Sequence, residues 1–233
     1  MTVHIPDGFM DGPTSAGAAV VAAGGVGVSL RRAAEVLDDR RVPLAGLVAA
    51  FVFAVQMLNF PVAVGTSGHL LGGALAAVLV GPAAGAASVA VVLAVQALLF
   101  ADGGLSALGL NVVNIALVTA VAGYAAFIVL RRVLPRRQSS IVAAAGVAAA
   151  LSVVASALAF VGEYALGGTG TASVGTVAGA MVGVHALIAI GEGLITALVV
   201  SAVLATRPDL VWGARGLELE RPSGAAAHEG VVP

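Results

Sequence analysis

The sequence predicts an all-α, polytopic membrane protein with about seven transmembrane helices. Of its 233 residues, 60% are hydrophobic and 10% are charged, and the mean hydropathy is +1.07. Soluble domains average about a quarter charged residues, so this chain has too few charges to cover a surface in contact with water. Lipid must therefore surround most of the chain, and helices satisfy their own backbone hydrogen bonds in lipid.

Seven apolar stretches follow one another along the chain. They cover residues 13–30, 42–60, 69–84, 85–101, 105–130, 140–166 and 174–205. Crossing a bilayer core of about 30 Å takes roughly 20 helical residues, a length that the second, fifth, sixth and seventh stretches reach. The third and fourth are shorter and are divided near Gly81-Pro82, so they could instead form one kinked span and a re-entrant piece.

The basic residues predict the orientation, because positively charged loops stay in the cytoplasm. All eleven are arginines and follow the first, fifth and seventh stretches: Arg31, Arg32, Arg40 and Arg41; Arg131, Arg132, Arg136 and Arg137; and Arg207, Arg215 and Arg221. Seven helices with the N-terminus outside and the C-terminus in the cytoplasm place all three groups inside, whereas six helices do not.

Three parts are expected along the chain: an external N-terminal segment (1–12), a transmembrane helical domain (13–205) and a polar, disordered cytoplasmic tail (206–233). The first segment contains no lysine or arginine. It therefore lacks the basic region of a cleavable signal peptide, and we expect it to be retained. The absence of cysteine excludes disulfides and thiolate metal sites.

Two of the four histidines are candidates for metal binding on the external side: His4 in the N-terminal segment and His69 after the second stretch. A terminal amine, backbone amides and a nearby imidazole can close small chelate rings around Ni(II), which favours tetragonal nitrogen coordination. If Met1 is removed, the chain begins Thr2-Val3-His4. Alone this pattern is weak, because any histidine at position three matches it.

Four sequence blocks interrupt the apolar background in a fixed order. They are His4-Ile5-Pro6-Asp7-Gly8-Phe9; Asn59-Phe60-Pro61 with Gly65-Thr66-Ser67-Gly68-His69-Leu70-Leu71-Gly72-Gly73; residues 96–105 with Leu108-Gly109-Leu110-Asn111; and Gly191-Glu192-Gly193-Leu194-Ile195-Thr196-Ala197. Together they resemble the signature segments of the CbiM/NikM family, the substrate-capture subunits of cobalt/nickel transporters of the energy-coupling-factor type. The similarity extends from about residue 3 to residue 205.

The resemblance implies a substrate-binding membrane component for uptake of Co²⁺ or Ni²⁺, with the ion as transported substrate and no permanent cofactor. In that family the metal is held by the N-terminal amine, by an amide and the imidazole of a near-terminal histidine, and by the histidine of a Gly-His-Leu loop. The two histidines match His4 and His69. Family chains usually begin Met-His, so the amine here could belong to Met1, Thr2 or Val3. The ligands do not discriminate cobalt from nickel.

The resemblance also implies partner subunits. The chain contains no lysine and no phosphate-binding loop, so any ATP hydrolysis that drives transport must take place on separate subunits. The resemblance implies two ATPase subunits and a transport role, not an enzymatic one, for this chain. A coupling membrane subunit, and in some systems a small accessory membrane subunit, complete the expected complex in the inner membrane of a bacterial cell. No nucleic-acid partner is expected, since the arginines do not form one patch.

Further polar residues are candidates to support the site. A metal-bound imidazole usually has its second nitrogen hydrogen-bonded, for which five residues are candidates: Asn59, Thr66, Ser67, Asp102 and Asn111. His185 and Glu192 lie one heptad apart in the seventh stretch, and ionisable groups at membrane depth are functional candidates by default. A structural role is nevertheless favoured for them, with Glu192 bonded to neighbouring helices through Asn111, Asn114 or Gln96.

Two alternatives belong to other classes of membrane protein. Gly65-Thr66-Ser67-Gly68 matches the G-x-S-G of rhomboid-type intramembrane serine proteases, with Ser67 as nucleophile and His185 as base. A Trp-Arg loop and a glycine-rich helix seam are missing, which argues against this reading. A self-sufficient secondary transporter is disfavoured because no internal repeat is found.

Overall fold

The computed structural model describes residues 4–39, 41–58, 60–63 and 66–216, with the backbone alone for residues 60–63 and 66–68. Seven helices lie in these ranges: α1 (Gly12–Val36), α2 (Arg41–Gln56), α3 (Gly73–Val80), α4 (Pro82–Leu99), α5 (Leu108–Val133), α6 (Gln138–Gly167) and α7 (Val174–Thr206). Strands β1 (Phe60–Ala63) and β2 (Thr66–Gly68) form a short antiparallel hairpin. The predicted all-α class is confirmed, with a hairpin near the predicted end of the second apolar stretch.

Five of the helices in the described part of the chain are long and apolar enough to cross a membrane: α1, α4, α5, α6 and α7. The predicted multi-pass membrane class is therefore confirmed. Helix α2 has 16 residues and α3 has 8, both shorter than a full span. Helix length by itself thus identifies five spans, and the count of seven remains a prediction.

Local sequence signals account for several helix ends. Asp11 caps α1, because its carboxylate accepts a hydrogen bond of 2.8 Å from the amide of Thr14. Ser173 caps α7 in the same way. Helices α3 and α4 are separated at Gly81-Pro82, where Gly81 has a φ of +94° that favours glycine and Pro82 begins the next helix.

Helix α3 is completely buried and packs at the centre of the bundle. Its first residue, Gly73, lies so close to α5 that a β-carbon there would collide with the Thr119 side chain. On the α5 side, Gly123 has equally little space beside Ala74. Small residues that let backbones approach closely are the usual packing device of membrane helices. Close packing of this kind sets where the residues just before α3 lie.

The N-terminal segment, described from residue 4, lies across the loops at one end of the bundle. The amide of Asp11 donates to the carbonyl of Gly167 at 2.7 Å, and the amide of Thr169 donates to the carbonyl of Phe9 at 3.1 Å. Further along the segment, the amide of Gly104 donates to the carbonyl of Ile5 at 3.0 Å. These bonds attach the segment to the α6–α7 loop and to the α4–α5 loop.

Packed structure at the opposite end continues past residue 206, where the polar tail is predicted to begin. Two short 3₁₀ turns, Pro208–Leu210 and Trp212–Ala214, follow α7. The indole of Trp212 donates to the Tyr124 hydroxyl at 2.9 Å, and Arg131 donates to the carbonyl of Gly213 at 2.7 Å. Residues 217–233, the remainder of the predicted tail, are outside the described part of the chain.

Candidate metal site

The two histidines predicted as metal ligands lie next to each other. The ring centroids of His4 and His69 are 4.8 Å apart, and the rings are nearly perpendicular at 89°. Their exposed fractions are 4% and 5%, so both imidazoles are withdrawn from solvent. Both also line a cavity of about 300 Å³ bounded by α5, α6 and α7. The fold thus brings together two imidazoles that are 65 residues apart in the sequence.

Each imidazole has one ring nitrogen beside a backbone carbonyl. His69 Nδ1 lies 2.8 Å from the carbonyl oxygen of Leu70, and His4 Nδ1 lies 3.3 Å from that of Asp102. Because a carbonyl oxygen only accepts, these contacts place the proton on Nδ1 and the lone pair on Nε2. His4 Nε2 is buried without a hydrogen-bond partner among the described residues. A buried nitrogen with an unused lone pair fits a metal ion.

The pKa of the His4 imidazole is lowered from its ordinary value of 6.5. Burial is the main cause, and the Asp102 carboxylate, 3.6 Å from Nδ1, partly offsets it. When the N-terminal segment is detached from the bundle, the His4 imidazole has its ordinary, higher pKa. Attachment of the segment is therefore unaffected well above pH 6.5 and weakens as the pH falls below it, because the detached imidazole takes up a proton first. At neutral pH the docked ring is therefore neutral, which is the form that binds metals.

Asn111 holds the backbone beside His4. Its Oδ1 accepts from the Ile5 amide at 3.0 Å, and its Nδ2 donates to the Ile5 carbonyl at 3.2 Å. Asn111 thus acts on the main chain next to the ligand, while Asp102 contacts the imidazole itself. Among the other predicted supporting residues, Asn59 lies outside the described part of the chain, as do the side chains of Thr66 and Ser67.

Asp7 forms a second attachment that sequence reasoning did not identify. Its Oδ1 accepts from the Ser106 amide at 2.7 Å and from the Ser106 hydroxyl at 2.6 Å. These hydrogen bonds lower the pKa of the Asp7 carboxyl. Pro6-Asp7-Gly8 is a typical turn sequence, but no local pattern connects this carboxylate to a loop about a hundred residues later. The attachment fixes the turn that brings His4 toward the cavity.

Glu192 connects α7 to the residues that follow His69. Its two carboxylate oxygens accept from the amides of Leu71 and Gly72, each at 2.7 Å, and it is 2% exposed. Helix α3 begins after Gly72, which is left-handed and offers no side-chain cap. The first amides of a helix lack partners within it, and a carboxylate is favoured at that end. Glu192 therefore binds the amide of Gly72, the N-cap residue of α3, and the amide just before it, and in this way caps α3 from another helix.

The partners predicted for Glu192 are wrong. Asn111 is hydrogen-bonded to the backbone of Ile5. Asn114 Nδ2 donates to Glu163 Oε2 at 2.6 Å, and Gln96 Nε2 lies 3.8 Å from the sulfur of Met57. The physical reason is that a short helix inside the bundle has unsatisfied amides, which compete for the carboxylate more strongly than side-chain amides that have other partners. Because Glu192 lies near the middle of α7, it also places the start of α3 at about that depth in the bundle.

Substituting Gly103 with alanine is expected to displace the N-terminal segment. Gly103 has a φ of +93°, and a β-carbon there would lie 2.8 Å from the Cβ of His4. Strain in this backbone region costs about 1–3 kcal/mol, and the collision adds to it. We expect weaker Ni²⁺ binding together with faster proteolysis near the N-terminus.

Gly8→Ala is the matched control for this substitution. Gly8 also has a positive φ, +76°, but no atom lies within 4 Å of an added β-carbon. It therefore carries the backbone strain without the collision with His4. Equal loss of Ni²⁺ affinity in the two variants would show that the contact between Gly103 and His4 has no role in binding.

These features define a class of protein: a multi-pass helical membrane protein with two adjacent buried imidazoles at a cavity, suited to carrying a transition-metal ion. The chain belongs to the CbiM family, described as the cobalt uptake substrate-specific transmembrane region, which matches residues 4–210. The resemblance inferred from the four sequence blocks is thereby confirmed. The protein is a cobalt/nickel transition-metal transport component.

Relatives with assigned names agree with this family. A protein of Haloquadratum walsbyi named for metal transport is 41% identical, over 90% of this chain and 94% of its own length. A fused nickel transport protein, NikMN, of Archaeoglobus fulgidus is 40% identical over 90% of this chain and 68% of its own length. A cobalt transport protein CbiM of Pelobacter propionicus is 36% identical, over 87% of this chain and 91% of its own.

A solved structure supports the same fold. The crystal structure of a truncated transition metal transporter superimposes with a TM-score of 0.77 and 30% identity. The match covers 87% of this chain and 98% of that one. The helical architecture described above is therefore shared with a transition-metal transporter. None of these similar proteins supports the intramembrane protease alternative, and His185 Nδ1 is bonded to a carbonyl of its own helix.

Proposed function

We propose that this protein is the substrate-binding membrane component of an energy-coupling-factor transporter that takes up Co²⁺ or Ni²⁺. The observation that carries the proposal is the pair of buried imidazoles, His4 and His69, whose centroids lie 4.8 Å apart at the cavity. Neutral imidazoles are common ligands of divalent transition metals. The ion is the cargo of the protein, and no resident cofactor is required.

The ligands of the proposed site are His4, His69 and the N-terminal amine of Met1, Thr2 or Val3, whichever begins the mature chain. With the His4 amide they provide a nitrogen-dominated, near-planar set that suits Ni(II). A chelate that includes the His4 amide reaches the ion through Nδ1 and not through Nε2, the nitrogen left without a hydrogen-bond partner among the described residues. It therefore requires Nδ1 to release its contact with the Asp102 carbonyl. Asp102 and Asn111 support the site beside His4, and Asn59, Thr66 and Ser67 are proposed to support it beside His69.

The amine ligand is tested by blocking it. Protein with a free N-terminus is expected to bind Ni²⁺ tightly, whereas a tag retained ahead of Met1 converts the amine to an amide and is expected to be as damaging as loss of His4. Calorimetry measures the affinity, and intact-mass spectrometry identifies the first residue of each sample. Full affinity in a protein that has kept its tag would contradict the amine ligand.

Seven crossings with the N-terminus outside and the C-terminus in the cytoplasm are proposed for this component. The N-terminal segment contacts loops at one end of the bundle, while Arg131 and Arg215 pack with the 212–214 turn at the other. If the chain alternates between these two ends, each of the five long helices crosses the membrane once. Helix α2 provides a sixth crossing, and the hairpin together with α3 provides the seventh. The positive-inside rule then places the arginine end in the cytoplasm.

Cysteine labelling in whole cells is expected to confirm this orientation. The chain has no native cysteine, so single cysteines at Ser173 and Ser139 report their own positions. An impermeant thiol reagent is expected to label position 173, before α7, and to leave position 139, at the start of α6, unlabelled. Permeabilised cells are the control, in which both positions react. The reverse pattern would exclude an external capture site.

Partner subunits are proposed from the resemblance to the same family of transporters. The chain matches 68% of the length of the Archaeoglobus fulgidus relative, which is named as a fused protein. The fused name supports a small accessory membrane subunit as one partner. On the resemblance to the family, we further expect a coupling membrane subunit and two ATPase subunits to assemble with this component in the bacterial inner membrane. The division into an external segment (1–12), a helical domain (13–205) and a cytoplasmic tail (206–233) is part of this proposal.

A further inference from the structure

A third imidazole lines the cavity that His4 and His69 share. His185 is on α7, and the other α7 residues at the cavity wall are Ala180, Met181 and Val184. His185 is therefore the only nitrogen-bearing side chain that this helix contributes to the cavity among the described residues. Ionisable side chains at membrane depth are costly to insert, which makes them functional candidates.

The hydrogen bond of His185 does not account for its presence. His185 Nδ1 donates to the carbonyl of Met181 at 2.8 Å, one turn earlier in the same helix. Such a bond joins α7 to no other element, so it contributes nothing to helix packing. It does fix the ring, because the proton resides on Nδ1 and the lone pair on Nε2. A ligating histidine is commonly arranged in this way, with its second nitrogen bonded to a backbone carbonyl.

Asn114 provides an independent observation at the same cavity. It is 3% exposed and lies in the π-helical turn Val112–Val118 within α5, a local geometry frequent at functional sites. Its Nδ2 donates to the Glu163 carboxylate at 2.6 Å, which fixes the amide orientation. Its Oδ1 is buried without a hydrogen-bond partner among the described residues. An unpaired buried carbonyl oxygen is a group that a cation satisfies.

Building on the proposed function, we propose that His185 and Asn114 form a second, weaker contact for the transported metal ion within the cavity. An ion released from the His4–His69 pair is held there by the His185 Nε2 and the Asn114 Oδ1. Two neutral protein ligands leave the remaining coordination positions to water, so the ion is held loosely. Loose binding suits a position that the ion must leave again.

The test measures Ni²⁺ binding to the detergent-purified full chain by calorimetry. Wild type is expected to show a tight binding event, and the double variant H4A/H69A, which lacks both imidazoles of the proposed site, is expected to retain only a weaker one. Adding H185Q to H4A/H69A is expected to weaken the remaining binding event by at least about tenfold, since even outer-shell partners of a metal contribute that much. Glutamine keeps a donor for the Met181 carbonyl, so the substitution removes the imidazole rather than its hydrogen bond.

Two controls separate a metal contact from a structural role. S156A in the H4A/H69A background removes another polar group that lines the cavity, and it is expected to leave the weaker binding event unchanged. H185C in the same background introduces the only cysteine of the chain. Addition of Co²⁺ to that variant is expected to produce a cobalt–thiolate charge-transfer band, a signal that a structural residue cannot give.

The outcomes distinguish this inference from the proposed function. If wild type binds neither Ni²⁺ nor Co²⁺, the proposed function fails. If wild type binds tightly but H4A/H69A retains no weaker binding event, or H185Q leaves that event unchanged, the second contact is overturned and the proposed function stands. Should H185Q fail to fold, H185C decides, because absence of the charge-transfer band equally overturns the contact.

Discussion

Replacing His69 with alanine is expected to abolish tight metal binding, lowering the affinity for Ni²⁺ by at least about a hundredfold. Even outer-shell partners of a metal contribute 10–100-fold, and in the proposed site His69 is a direct ligand. His4→Ala is expected to have a similar effect, because it removes both an imidazole and the ring that closes the chelate. Calorimetry on purified protein and ⁶³Ni uptake by cells measure the loss.

His228→Ala is the control for these two substitutions. His228 belongs to the predicted cytoplasmic tail, in a region outside the described residues, and its loss is expected to leave affinity and uptake unchanged. Melting curves of all variants in the metal-free state separate lost ligation from lost folding. If a folded His69→Ala protein bound Ni²⁺ as tightly as wild type, the proposed site would be wrong.

Replacing Glu192 with alanine is expected to destabilise the protein and to weaken metal binding together. The change leaves the amides of Leu71 and Gly72 buried without an acceptor, and each such loss costs about 1–3 kcal/mol. The free energy of unfolding is therefore expected to fall by roughly 2–6 kcal/mol. Because Leu71 lies two residues after His69, the imidazole also loses its fixed position.

Glu192→Gln provides a graded test of this cap. Glutamine keeps one carbonyl oxygen for one of the two amides, so about half of the destabilisation is expected. Glu163→Gln is the matched control, since Glu163 is a carboxylate on the neighbouring α6 that bonds Asn114 and does not contact the start of α3. Melting temperature is measured for all three variants, and Ni²⁺ affinity for the two Glu192 variants. Wild-type stability in Glu192→Ala would contradict the cap.

The match between sequence and structure is closest where a signal is local. The scarcity of charge predicted the membrane class, and Gly81-Pro82 predicted the break between α3 and α4, because a glycine with positive φ and a proline interrupt any helix. His4 and His69 could be singled out because titratable groups are rare in this apolar chain. The four sequence blocks then identified the family, which the match over residues 4–210 confirms.

The sequence did not predict the contacts that hold the candidate site together. The bond between Glu192 and Leu71 joins residues 121 positions apart, and the pair formed by Asn111 and Ile5 spans 106. Such partners are chosen by which buried amides remain unsatisfied after the helices have packed, and no local pattern records that. Asn111, for example, was a candidate to orient an imidazole and is bonded to the main chain beside one.

By itself, the sequence determined that this protein is a helical membrane protein of the CbiM family, and it singled out two histidines as candidate metal ligands. Composition and local turn chemistry suffice for that, since they act over a few residues at a time. Only the tertiary structure decided that His4 and His69 meet, that α3 is a short buried helix capped by Glu192, and that His185 shares their cavity. Those facts follow from close packing of distant helices, where every buried polar group requires a partner that only the assembled bundle provides.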